Sequence, residues 1–151
     1  MGMSNDTFKF RVWDTVNKCF QQEDADDCFI RQNGDMTCVF WGDCDTMPTE
    51  FVKEEDAIID MCIGLKDKTG MFVYCGDILK DAESLWEVCW SQSIASFMLD
   101  EYSYDENGEY TGSGNLQTIH ADEISEMEIV GNIHEGVWKQ VAKQAESEVQ
   151  K

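Results

Sequence analysis

The chain has 151 residues, 42% hydrophobic and 11% aromatic, which suits one domain with an ordinary core and is too apolar for a disordered chain. Its 31 Asp and Glu against 11 Lys and Arg give a formal charge of −20. That sign argues against direct binding of DNA or RNA, which depends on Lys and Arg displacing counterions from phosphates, and against anionic membranes for the same reason.

Residues 8–14, FKFRVWD, alternate Phe8, Phe10 and Val12 with Lys9, Arg11 and Trp13, a period of two that predicts a strand. A turn at Asn17-Lys18 leads to a short strand near Cys19-Phe20. Residues 21–60 hold twelve acids against Arg31 and Lys53, half of the net charge. Within them, the runs from Cys28 and from Thr37 flank Asn33-Gly34-Asp35, a hairpin signal. Pro48 marks an irregular join, and residues 51–59 read as a short helix. Strands are predicted at 58–63 and 71–75 around the turn Asp67–Gly70, and at 77–81, 85–90 and 94–99. Asp105–Gly108 reads as a turn, Tyr110–Gly114 as an exposed loop, and 127–133 as a last strand. Beyond it Val137, Val141, Ala145 and Val149 recur every four residues beside Trp138, which predicts a terminal helix. Many short strands between Gly, Asn and Asp turns make a mainly β domain over 8–135, a small barrel with added hairpins, and a C-terminal α-helix over 136–151.

Four blocks stand out in order: Phe8–Asp14, Gly64–Gly70 (GLKDKTG), Tyr74–Leu79 (YCGDIL) and Glu128–Ile133 (EIVGNI). Together they resemble the YopX family of phage and prophage proteins. The resemblance implies an SH3-like barrel encoded by a phage or an integrated element, and it carries no defined activity. The chain departs from the family pattern at Cys75, where an acid is common, and at His134, where an aromatic is common. The residues themselves read as structural. Gly64, Gly70 and Gly76 sit at turns, with positive φ expected at Gly70 and Gly76. Asp67 and Asp77 can accept backbone N–H groups there, and Gly131 fits a bulge. Leu65, Ile78 and Leu79 suit the core.

Seven cysteines, an odd number with no C-x-x-C pair, and no apolar leader after Met1 point to free thiols in a reducing cytosol. Asp6 spoils a myristoylation start at Gly2, and no apolar run is long enough for a membrane span. Nucleophilic catalysis needs a base beside Ser, Cys or Thr; only His120 and His134 are available, and Cys75 is the best-placed thiol. Cys38, Cys44 and His120 are poorly spaced for zinc, and Asp43, Asp45 and Glu50 miss the EF-hand pattern. No cofactor or metal is expected. Trp13, Trp41, Trp86 and Trp90 fall in strands, where packing is the default role.

The charge either keeps a small protein soluble or attracts a basic protein surface. Its concentration before Asp60 favours the second. The expectation is a non-enzymatic acidic module binding a basic host protein, with DNA-charge mimicry as one mechanism. Glu23, Asp24, Asp26, Asp27, Asp43, Asp45, Glu54, Glu55 and Asp56 are the partner-binding candidates. Two alternatives remain: an aromatic-lined groove for a nucleotide-like ligand, and a small hydrolase using paired carboxylates. An apolar face around Trp138 offers a surface for a homo-oligomer.

Overall fold

A computed structural model describes residues 9–20, 28–30, 36–38, 56–104 and 110–137. The chain divides into two compact units, Arg11–Ile59 and a larger one made of Met1–Phe10 with Asp60–Lys151.

In the smaller unit, strand β1 (Phe10–Asp14) pairs antiparallel with β2 (Cys19–Phe20), Trp13 opposite Phe20. Their rings meet edge to face with centroids 4.9 Å apart, and the Arg11 guanidinium lies 4.3 Å from the Phe20 ring. Asp14 makes the connecting turn: one oxygen accepts the N–H groups of Val16 and Asn17, and the other accepts the Asn17 amide. The predicted hairpin is present as β3 (Cys28–Ile30) paired with β4 (Met36–Cys38). The expected helix over 51–59 ends differently. Its last residues, Ala57–Ile59, already belong to strand β5 (Ala57–Lys66), because Ile58 and Ile59 are β-branched and fit a pleated surface. Residues 51–55 lie outside the described part.

The larger unit continues β5 and pairs it with β6 (Phe72–Tyr74). A six-stranded antiparallel sheet follows in the order β10-β9-β8-β7-β11-β12. Its strands are β7 (Asp77–Lys80), β8 (Leu85–Ser91), β9 (Ser96–Tyr104), β10 (Tyr110–Thr118), β11 (Glu128–Asn132) and β12 (Gly136–Val137). The mainly β expectation holds. Among the described residues the SH3-like barrel is not confirmed: the six-stranded sheet is curled as a half-barrel with β10 and β12 at its edges. One helix is described, α1 (Ala121–Glu126).

Strand parity sorts the side chains of this sheet. Leu79, Trp86, Val88 and Leu99 point to one face and pack with Val73, Ile124, Met127 and Ile129 into the main core. Ile78, Leu85 and Val130 form a smaller cluster with Tyr102 packed against it. Trp86 and Val88 are buried while Trp90, of the same parity, is half exposed at the strand end and stacks edge to face on Phe97.

The turn residues behave as their chemistry requires. Gly64, Gly70 and Gly76 all have positive φ, 81°, 88° and 90°. Gly76 is the corner between β6 and β7. Its N–H bonds the Val88 carbonyl, its carbonyl accepts the Ile133 N–H, and a Cβ there would crowd the Ile133 side chain at 3.2 Å. Asp77 accepts the Tyr74 N–H across this corner. Gly131 falls at the register shift of β11 against β7, the expected bulge. Two further stretches differ from expectation. Residues 110–114 are strand rather than loop: Tyr110, Thr111 and Gly112 pair with Tyr104, Ser103 and Tyr102 of β9, with Gly112 against the Asp100 carboxylate. Gly136–Val137, the start of the expected terminal helix, pair with β11 instead; residues 138–151, Trp138 among them, lie outside the described part.

Candidate functional site

Of the acids expected to meet a partner, Glu23, Asp24, Asp26, Asp27, Asp43, Asp45, Glu54 and Glu55 lie outside the described residues. Asp56 is described, half-buried before β5, and its backbone carbonyl accepts the N–H and hydroxyl of Thr15. Its local role is thus a backbone one.

The described acids that share a cavity are others. In the larger unit, a cleft of about 540 Å³ is lined by Asp81, Trp86, Leu99, Gln117, Asp122, Glu123, Ser125, Glu126 and Met127. Its apolar wall is the core surface of the sheet where β8 and β9 meet α1. Ile124 is the buried anchor of this short helix. Anchoring one side leaves Asp122, Glu123, Ser125 and Glu126 on the exposed surface. The helix has no side-chain N-cap and no basic residue in its last turn, so the negative end of its dipole sits beside Glu126 uncompensated. The carboxylates of Asp122, Glu123 and Glu126 have no hydrogen-bond or ion-pair partner among the described residues.

Asp81 is held differently. One oxygen accepts the N–H groups of Glu83 and Ser84, and the other accepts the Trp86 indole N–H at 2.8 Å. Burial pushes this carboxyl up, but the bonds from Glu83, Ser84 and Trp86 outweigh it and hold it below the ordinary carboxylate value. Asp81 is therefore a fixed negative charge that also locks the indole into the cleft wall. Among the described residues the lining contains four carboxylates and no Lys or Arg.

The groups considered for catalysis fall elsewhere. His134 is buried against Asp60, its Nε2 3.1 and 3.2 Å from the two carboxylate oxygens. The Cys75 thiol is pushed up to about 11, first by burial and then by the negative fields of Asp60, Cys89 and Glu87. Activation of a cysteine nucleophile needs the opposite shift. Glu87 and Asp100 are opposed across β8 and β9, and Glu87 is pushed up by burial and by Asp100. Their parity places them on the face away from Trp86 and the cleft. Asp100 is tied to the β10 bulge through the Gly114 N–H at 2.8 Å. Among the described residues no group of three or more His, Cys, Asp or Glu is placed to hold a metal ion, and no helix is long and apolar enough to cross a membrane.

Sequence reasoning passed over the cleft. The signal was present in ADEISE at 121–126, two apolar residues, Ala121 and Ile124, among four polar ones, but the run is too short for a periodicity to show. A family model described as YopX protein matches residues 9–137, and the chain therefore belongs to the YopX family. No curated protein matches it.

Proposed function

We propose that the chain is a non-enzymatic acidic interaction module, of a phage or integrated element, that binds a basic protein surface in the host cytoplasm. One observation carries this reading: a cleft whose described lining has an apolar wall, four carboxylates and no Lys or Arg, in a chain of net charge −20. Acids on a surface alone serve solubility. Acids around an apolar cavity, three of them without a counter-charge among the described residues, favour an external cation. The twelve acids of residues 21–60 add to the net negative charge that draws a basic partner; standing in for DNA phosphates is one way such a charge acts.

The test is capture from bacterial lysate by the immobilised full chain, followed by elution with salt. Between about 0.01 M and 1 M ionic strength the screening length falls from about 30 Å to about 3 Å, so a bound basic protein is released across that range. Retention that ignores salt, or no retained protein at low salt, refutes the reading. The ligand-binding alternative gains the cavity's size, within the usual span of about 300–1,000 Å³. Yet a nucleotide's phosphates would face four carboxylates there, so co-purified nucleotide is the less favoured outcome.

A further inference from the structure

One end of the larger unit is apolar and uncharged, and we infer that two copies of this chain pair through it. There the β6–β7 corner, the tip of the β8–β9 hairpin and the turn after β11 come together. The Gly76 N–H bonds the Val88 carbonyl, the Gly76 carbonyl accepts the Ile133 N–H, and the Cys75 N–H bonds the Met61 carbonyl. Around this corner and tip Met61, Trp90, Ile94 and Ile133 are 38, 50, 57 and 47% exposed. Trp90 is braced by Phe97, ring centroids 5.1 Å apart, so it offers a large apolar face at little further cost in side-chain entropy. The twelve residues Val88–Leu99 carry no charge in a chain that is 28% charged, and neither do Ile129–Ile133. The acids of the corner, Asp60 and Asp77, are buried, and the Glu135 carboxylate accepts the Asn132 amide. Single exposed apolar side chains are ordinary, whereas several gathered at one end mark a contact surface. Charge selects the occupant. A basic partner gains nothing from a surface without exposed carboxylates, and an anionic membrane is repelled by the net charge of −20. Two copies also repel each other, but this end lets them touch with no like charges inside the contact. A two-fold axis makes the same patch serve both sides, and the loss of apolar surface from water drives the pairing. Four partly exposed side chains from each copy put the interface at the small end, below about 1,200 Å² in total, so the dimer is weak.

The experiment is sedimentation equilibrium of the full chain over about 5–500 μM, a range that brackets a weak dimer. It is run at about 0.1 M and about 1 M salt, between which the screening length falls from about 10 Å to about 3 Å. Screening relieves the repulsion between the two chains, so the dimer should tighten at least about threefold at the higher salt. A basic partner is released by salt instead, so the two readings move in opposite directions and either can fail without the other. Trp90→Ser/Ile94→Ser should weaken the dimer at least about tenfold. Ile94→Ser alone, at an exposed turn, should weaken it at least about threefold and gives the readout should the double variant fail to fold. Met71, 61% exposed, sits in the β5–β6 turn, whose Lys68 and Asp67 bond Met127 and Ile129 at the other end of β11. Met71→Ser should change the association less than about twofold. A monomer at every concentration and salt, a dimer loosened by salt, or equal loss from Met71→Ser and Ile94→Ser overturns the pairing. So does a monomeric chain that floats with neutral phosphatidylcholine vesicles through Trp90 and Ile94, because that result gives the apolar end to a lipid surface.

Discussion

Removing the Asp67 carboxylate tests how the fold is held. The residue is 5% exposed. Its Oδ1 accepts the Thr69 N–H at 2.9 Å, the Met71 N–H at 3.0 Å and the Thr69 hydroxyl at 2.7 Å. Its Oδ2 accepts the N–H of Ile129, 62 positions away, at 3.1 Å. In Asp67→Ala three backbone donors lose their acceptor. A stranded buried donor costs about 1–3 kcal/mol. Thr69 and Met71 are exposed, so water recovers part of their loss, whereas the Ile129 N–H lies against the core. The expected cost is about 3–5 kcal/mol, a large part of an ordinary stability of about 5–15 kcal/mol. Asp67→Asn keeps one oxygen for the turn but turns an NH₂ toward Ile129, for about 1–3 kcal/mol. Urea unfolding followed by tryptophan fluorescence measures both. An Ala variant within about 1 kcal/mol of wild type, or Asn costing as much as Ala, refutes the reasoning. The pH dependence has a definite sign. Burial raises this carboxyl, but the bonds from Thr69, Ile129 and Met71 hold it below its ordinary value. The stabilisation is thus complete above the unfolded value near 3.9 and is lost as pH falls through the folded one. The gap between wild type and Ala should stay level from about pH 5 to 8 and narrow below about pH 4.

Glu87 predicts the opposite trend. Its carboxyl is pushed up by burial and by Asp100, so the folded state holds the proton more tightly and stability falls as pH rises through the window above about 4.3. Glu87→Gln, which relieves a like-charged cross-strand pair, should stabilise by about 0.2–1 kcal/mol at pH 7, with no gain at pH 3.5; a melting temperature unchanged or lowered at pH 7 refutes this. Cys75, pushed up to about 11, holds only about one thiolate in ten thousand at pH 7. Iodoacetamide at that pH should label exposed Cys19 well before Cys75 by peptide mass mapping, and the reverse order would show the thiol to be activated.

What the sequence disclosed was local chemistry. Gly70, Gly76, Asp67 and Asp77 announced their turns because each answers a backbone demand within a few residues. The strands read from 58 to 99 were legible through β-branched and aromatic runs. Tyr110–Gly114 was not, because glycine and serine normally mean loop, and only the pairing of 110–112 with 102–104 of β9 makes a strand there. Helix α1 was hidden by its length: six residues with one buried anchor make no measurable period. The cleft was hidden for a deeper reason. Asp81 and Asp122 are 41 positions apart, and only the return of the chain from β10 through α1 puts them around one cavity. Charge density along the sequence pointed to residues 21–60, since a local count sees neighbours in the chain and not neighbours in space.

The turn at Asp67–Gly70 and the cleft are mechanically one unit. Asp67 holds Ile129, and the N–H of the next residue, Lys68, holds the carbonyl of Met127 at 2.8 Å. Met127 is both the residue that ends α1 and part of the cleft wall. The β5–β6 turn therefore fixes where α1 stops, and with it where Glu126 presents its carboxylate. A family motif that answers only to backbone geometry in this way sets the position of the acids on a helix outside the motif. Loosening that turn should widen the cleft before it unfolds the sheet, because Lys68 and Asp67 bridge to α1 and β11 through few bonds while β7, β8 and β9 are tied along their lengths. In the sequence the Gly64–Gly70 turn and ADEISE lie about fifty residues apart. In the fold they are joined at Met127.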